Sequence, residues 1–182
     1  MNNKGLVSKI ALGLLATGGV VAVLALSPGI GLVLKAIDPN PRKATEKLKR
    51  AFDRLAKDGD VEAIPGRERR YRLTSAGGRK LARLQFKDYS LSKQKHAWDR
   101  KWRVVCFDIP ETDQYVRRLF QGKLSELGFY RLQNSVFVYP YPCVELLKLS
   151  NKAFELEKHV RLIVADSIDN QARLKHFFHL KP

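Results

Sequence analysis

Between Lys9 and Lys35 the chain runs for 25 residues without a charged side chain, IALGLLATGGVVAVLALSPGIGLVL. A segment of this kind must leave water, and about 20 apolar residues suffice to span a bilayer as a helix. Three readings meet that demand. One is a membrane span. The second is a signal peptide, with Lys4 and Lys9 as its basic head and Ala25-Leu26-Ser27 as a loose small-residue site. The third is a buried helical hairpin. Gly13, Gly18, Gly19, Pro28, Gly29 and Gly31 interrupt the run, and Ser27-Pro28-Gly29 should stop a helix near Leu26, leaving two shorter apolar pieces.

The rest of the chain is strongly cationic. Its 34 Lys and Arg against 18 Asp and Glu give a net charge of +16, the footprint of a surface for polyanions or anionic membranes. Residues 1–98 hold 20 basic and 8 acidic side chains, whereas 99–182 hold 14 and 10, so a phosphate-binding surface is expected mainly in the N-terminal half. With 45% hydrophobic residues, 182 residues can bury one large core or two small ones, which excludes disorder as the default. Cys106 and Cys143 lack the spacing of a zinc site or a disulfide framework and read as small core hydrophobes. His176 and His179 can share a face, but they lack identifiable ligand partners and read as surface or packing residues.

After Pro39 and Pro41 the pattern becomes helical, RKATEKLKRAFDRLAKDGD, and ends at Gly59. At about 100° per residue, Lys43, Lys47, Arg50, Arg54 and Lys57 form one basic stripe, while Ala44, Leu48, Ala51, Phe52 and Leu55 form an apolar stripe some 120° away. Five cations in one stripe favour phosphate contact over an ordinary solvated face. Val61–Ile64 and Arg70–Leu73 then read as two short strands around Pro65-Gly66, with Arg67, Arg69, Arg70 and Arg72 at the tip of the hairpin. Thr74 precedes another short helix in which Leu81 and Leu84 can face the core. Helix, basic hairpin and helix is the order of a winged helix-turn-helix, whose helix enters the major groove while the wing reaches the backbone or minor groove.

The polar stretch around residues 91–97 reads as a linker between a domain at 1–90 and another at 98–182. From Trp102 the order is strand, helix, two strands, helix, strand and a short amphipathic end, a ferredoxin-like βαββαβ plan with helices on one face of an antiparallel sheet. The other face needs a partner or the C-terminal segment to cover it. The fold class expected is therefore α+β.

Asp108 ends the first of these strands, in Phe107-Asp108-Ile109-Pro110. Across a dimer axis two such carboxylates could share a Mg²⁺ ion and activate water for phosphodiester hydrolysis; the plainer reading is that Asp108 caps the following helix or turn. There is no phosphate-binding glycine loop, HExxH or serine elbow. Tyr130, Phe137, Tyr139 and Tyr141 could stack on bases, although alternate residues of a sheet also simply pack.

WDRKWRVVCFDIPE at 98–111 and LSELGFYRLQNSVFVYPYP at 124–142 resemble the central domain of PaaX-like transcriptional repressors, which is in turn similar to the Cas-two family of CRISPR adaptation endonucleases. The resemblance implies that 98–182 is a dimerisation domain and that an N-terminal winged helix precedes it, which turns the apolar N-terminus into buried helices of that domain. PaaX-like repressors usually carry a further C-terminal, effector-sensing domain, and this chain stops at Pro182. The endonucleases lack a winged helix and place their metal-binding aspartate where Asp108 stands.

Together these readings point to a cytoplasmic, homodimeric regulator of transcription that binds double-stranded DNA without a cofactor. The alternative is a Mg²⁺-dependent endonuclease using paired Asp108 as catalytic and metal-binding residue. A further alternative is a membrane-tethered basic adaptor.

Overall fold

The apolar N-terminal run does not form one long helix. In the computed structural model, which describes residues 3–18, 20–22, 30–66, 70–90 and 97–180, it yields α1 (Asn3–Gly18), a short strand β1 (Val20–Ala22) and α2 (Ile30–Ile37). The strand replaces part of the expected helical hairpin. Gly18-Gly19 carries low helix propensity, and the β-branched Val20-Val21 that follows favours extended backbone. Val7, Ala11, Leu12 and Leu15 of α1 are buried. No helix among the described residues is long and apolar enough to cross a membrane.

The chain divides into two units, Met1–Leu84 and Gln85–Pro182. In the first, α3 (Pro41–Lys57) has clear local causes. Asn40 caps it, its side-chain oxygen accepting from the backbone N–H of Arg42 at 3.0 Å and of Lys43 at 3.3 Å, and Pro41 occupies the first turn, where a missing N–H costs nothing. Gly59, at φ +75°, turns the chain out of the helix. The apolar stripe Ala44, Leu48, Ala51, Phe52 and Leu55 is buried as its periodicity predicts. Strands β2 (Val61–Ile64) and β3 (Arg70–Leu73) fall on the expected residues and pair antiparallel. β1 adds to the other side of β3, giving the order β1-β3-β2.

Helix α4 (Ser75–Asp88) starts at Thr74, whose hydroxyl accepts from the Gly77 N–H at 3.1 Å and donates toward the carbonyls of Gly59 and Asp60. Gly77 is required there because a Cβ would collide with the Asp60 carbonyl. The buried Asp60 carboxylate is paired with Lys80.

The second unit carries β4 (Trp102–Phe107), α5 (Gln114–Glu126), β5 (Tyr130–Gln133), β6 (Val136–Tyr139), α6 (Val144–Phe154), β7 (Val160–Ala165) and α7 (Gln171–Phe177), in the element order read from the sequence. The strands form one antiparallel sheet in the order β5-β6-β4-β7. On one face Phe107 meets Phe120 of α5 edge-on and lies near-parallel to Phe137. On the other, α7 and its flanks supply Leu174, Phe178 and Leu180, which pack with Trp98, Trp102, Val104, Tyr130 and Val138. The C-terminal segment thus covers apolar surface on the second face.

Tyr130, Phe137, Tyr139 and Tyr141 are absorbed by packing: Tyr130 meets Phe177, Tyr139 stacks on Phe129 at 4.4 Å, and Tyr141 abuts Tyr139. Cys143 is buried, and burial pushes its thiol up to about 11, which fits an inert core position.

One polar contact anchors the start of this sheet. Arg103, itself buried, donates both terminal nitrogens to Asp99 at 2.5 and 2.6 Å and one of them also to the Pro140 carbonyl. The guanidinium holds the Asp99 carboxyl down to about 2, below its ordinary 3.8. A lowered folded value stabilises the protein above 3.8, and the contribution is lost as pH falls toward 2. Urea unfolding in that range should show wild type losing stability that Asp99→Asn never had, by a modest amount because Asp99 is half exposed. Parallel pH profiles would remove the assignment.

Candidate nucleic-acid interface

Burial of one stripe of α3 forces its remaining residues outward. Lys43, Arg50, Arg54 and Lys57 are exposed and Lys47 is partly so. The five predicted cations are not equally available. Lys47 donates to Asp38 at 2.6 Å, and this contact, with the Asn40 backbone N–H, holds the Asp38 carboxyl below its usual range. Arg50 lies 3.8 Å from Glu46, a loose surface pair one helical turn away. Lys43, Arg54 and Lys57 make no ion pair among the described residues.

The hairpin divides in the same way. Arg72 is paired with Glu62, its cross-strand partner in register, whereas Arg70 is exposed and makes no ion pair among the described residues. Arg67 and Arg69 lie outside the described residues.

Two cations of α3 escaped the sequence reading. At about 100° per residue, Arg42 and Lys49 fall on the far side of a row formed by Glu46 and Asp53, so a search for one continuous stripe missed them. The helical wheel contained the signal. The exposed surface is a cationic face with two flanks and acids along its middle. Tyr71 fixes part of that middle row by donating to Asp53 at 3.1 Å, while its ring stacks on Phe52 at 4.8 Å.

Asp108 sits at the end of β4, where its backbone N–H donates to the His159 carbonyl at 2.8 Å and its own carbonyl lies 2.9 Å from His159 Nδ1. Its carboxylate is exposed and makes no hydrogen bond or ion pair among the described residues. The short 3₁₀ turn that follows starts after Pro110 without a side-chain cap, so capping does not account for Asp108. No group of three or more His, Cys, Asp and Glu side chains among the described residues could hold a metal.

The molecule is thus a mixed α and β protein with two antiparallel sheets and a cationic helix in its N-terminal unit. Residues 95–176 match the family model of the PaaX protein central Cas2-like domain, the family whose motifs the sequence resembles at 98–111 and 124–142. No curated protein matches the chain.

Proposed function

We propose that the chain is a PaaX-like transcriptional regulator, a repressor by family likeness, that binds double-stranded DNA through residues 1–90 and forms a homodimer through residues 98–182. The order α1-β1-α2-α3-β2-β3 with strands arranged β1-β3-β2 supports reading the N-terminal half as a winged helix-turn-helix, in which α2, the turn at 38–40 and α3 are the DNA-reading unit. The order β5-β6-β4-β7 supports a ferredoxin-like second half beyond a linker at 91–97. The observation that carries the reading is the set of exposed cations, Lys43, Arg54 and Lys57 on α3 and Arg70 on β3, that lack a carboxylate partner among the described residues. Unpaired surface cations on a packed helix can take the place of the counterions condensed on DNA phosphates, and the release of those counterions drives binding.

The test is fluorescence anisotropy on a duplex selected by the protein from a random-sequence pool. Arg50→Ala/Arg54→Ala should weaken binding by about tenfold or more and flatten the dependence of log affinity on log salt by nearly one unit per lost phosphate contact. An unchanged curve removes α3 from the interface.

A second reading, a metal-dependent endonuclease, is favoured by one observation, the exposed Asp108 carboxylate that makes no hydrogen bond or ion pair among the described residues. Mg²⁺ or Mn²⁺ would be held between two copies of Asp108 and would supply an activated water. That reading requires cleavage of duplex DNA that depends on the metal and disappears in Asp108→Asn; metal-independent binding without cleavage leaves the regulator.

A further inference from the structure

A cavity of about 240 Å³ opens in the C-terminal unit between α5 and the turn joining β5 to β6. Gln114, Arg117, Arg118 and Gln121 recur at three- and four-residue spacing, so one face of α5 supplies one wall. Arg131 from β5 and Asn134 from the turn complete it. Their positions are fixed by neutral acceptors: Arg117 donates to Ser135 Oγ at 3.3 Å, Arg131 to Asn134 Oδ1 at 2.8 Å, and Gln121 Nε2 to the Asn134 carbonyl at 2.9 Å.

Three guanidinium groups therefore line one cavity, and none makes an ion pair among the described residues. Arg118 makes no hydrogen bond among them either. Glu111 is the one acid among the described residues lining the space, so positive charge remains in excess. Like charges held around a concavity repel unless an anion joins them, and the planar arginine fork matches phosphate oxygens in pairs. The volume is below the range of about 300–1,000 Å³ usual for drug-sized ligands, which suits a small, highly charged group.

We infer that this cavity binds the phosphate or diphosphate group of a small phosphorylated molecule. The site shares no residue with the cationic face of α3, and the inference does not rest on the DNA-binding reading. Gln114 and Gln121 add carboxamides able to recognise hydroxyl or carbonyl groups beside the phosphate.

Isothermal titration calorimetry on the full chain tests this, with inorganic phosphate, pyrophosphate and adenosine diphosphate as probes. Pyrophosphate or adenosine diphosphate should bind saturably at one site per chain. Arg118→Ala and Arg131→Gln should each weaken that binding by about tenfold or more, Arg118→Lys by less, and Arg50→Ala/Arg54→Ala should leave it unchanged. Urea midpoints of the variants separate loss of binding from loss of fold, and Arg118, which makes no hydrogen bond or ion pair among the described residues, is the safer substitution. Tighter binding of the diphosphates than of phosphate identifies a diphosphate site; equal binding identifies a phosphate site.

The inference is overturned if none of the probes binds saturably, if both cavity variants bind like wild type, or if only the α3 variant loses binding. It is equally overturned if Arg118→Ala weakens duplex DNA and leaves pyrophosphate untouched, because the cavity is then a DNA contact. Failure of the DNA-binding reading looks different, since it removes DNA affinity without touching these titrations.

Discussion

Phe52→Ala should lower the stability of the N-terminal unit by about 3–5 kcal/mol and abolish DNA binding as that unit unfolds. Phe52 is fully buried on α3 and stacks on Tyr71 of β3 with the rings 10° from parallel, tying the cationic helix to the hairpin. Truncation loses the transfer energy of the ring, opens a cavity among Leu48, Leu55 and their neighbours, and removes an aromatic pair worth about 1 kcal/mol. Because domains hold only about 5–15 kcal/mol in total, this brings the unit close to its limit. Urea unfolding followed by circular dichroism, beside anisotropy on the selected duplex, checks both halves of the expectation. Phe52→Leu should cost far less and retain binding. A loss below about 1 kcal/mol in the alanine variant would contradict the burial on which the outward direction of the cations depends.

The second large effect is expected at Trp102. Its ring is fully buried, 5.0 Å from Trp98 and 6.2 Å from Phe178, in the cluster that seats the C-terminal segment on the sheet. Trp102→Ala should cost about 3–5 kcal/mol and open residues 171–180 to proteolysis. Trp102→Phe should be much milder for a specific reason. The indole N–H is buried without a hydrogen-bond partner among the described residues, so phenylalanine keeps most of the packing and removes an unsatisfied donor. Equal losses in the two variants would show that the indole nitrogen is engaged and that this account of the cluster is wrong.

Much of the architecture is legible from local pattern. The stripe from Ala44 to Leu55, the stop at Gly59 and both hairpin strands follow from interactions spanning a few residues, and each is found where the pattern places it. The same holds for βαββαβ, where strand and helix periods alternate cleanly. The apolar run at 10–34 is harder, because a segment hydrophobic in every direction carries no period to separate helix from strand. Strand β1 exists there because β3 offers it an edge some 50 residues further along the chain.

By itself the sequence determined what depends on neighbours along the chain: the secondary structure of α3 and the hairpin, the excess of positive charge in the N-terminal half, and the motifs that mark the PaaX central domain. Tertiary structure alone decided which of those charges are available. Asp38 takes Lys47 and Glu62 takes Arg72, while Arg117, Arg118 and Arg131 are left lining one cavity without a counter-ion among the described residues. The reason is physical: helix and strand periods are set by the backbone within a few residues, but the pairing of a charge depends on distances of a few ångströms between groups that only folding brings together.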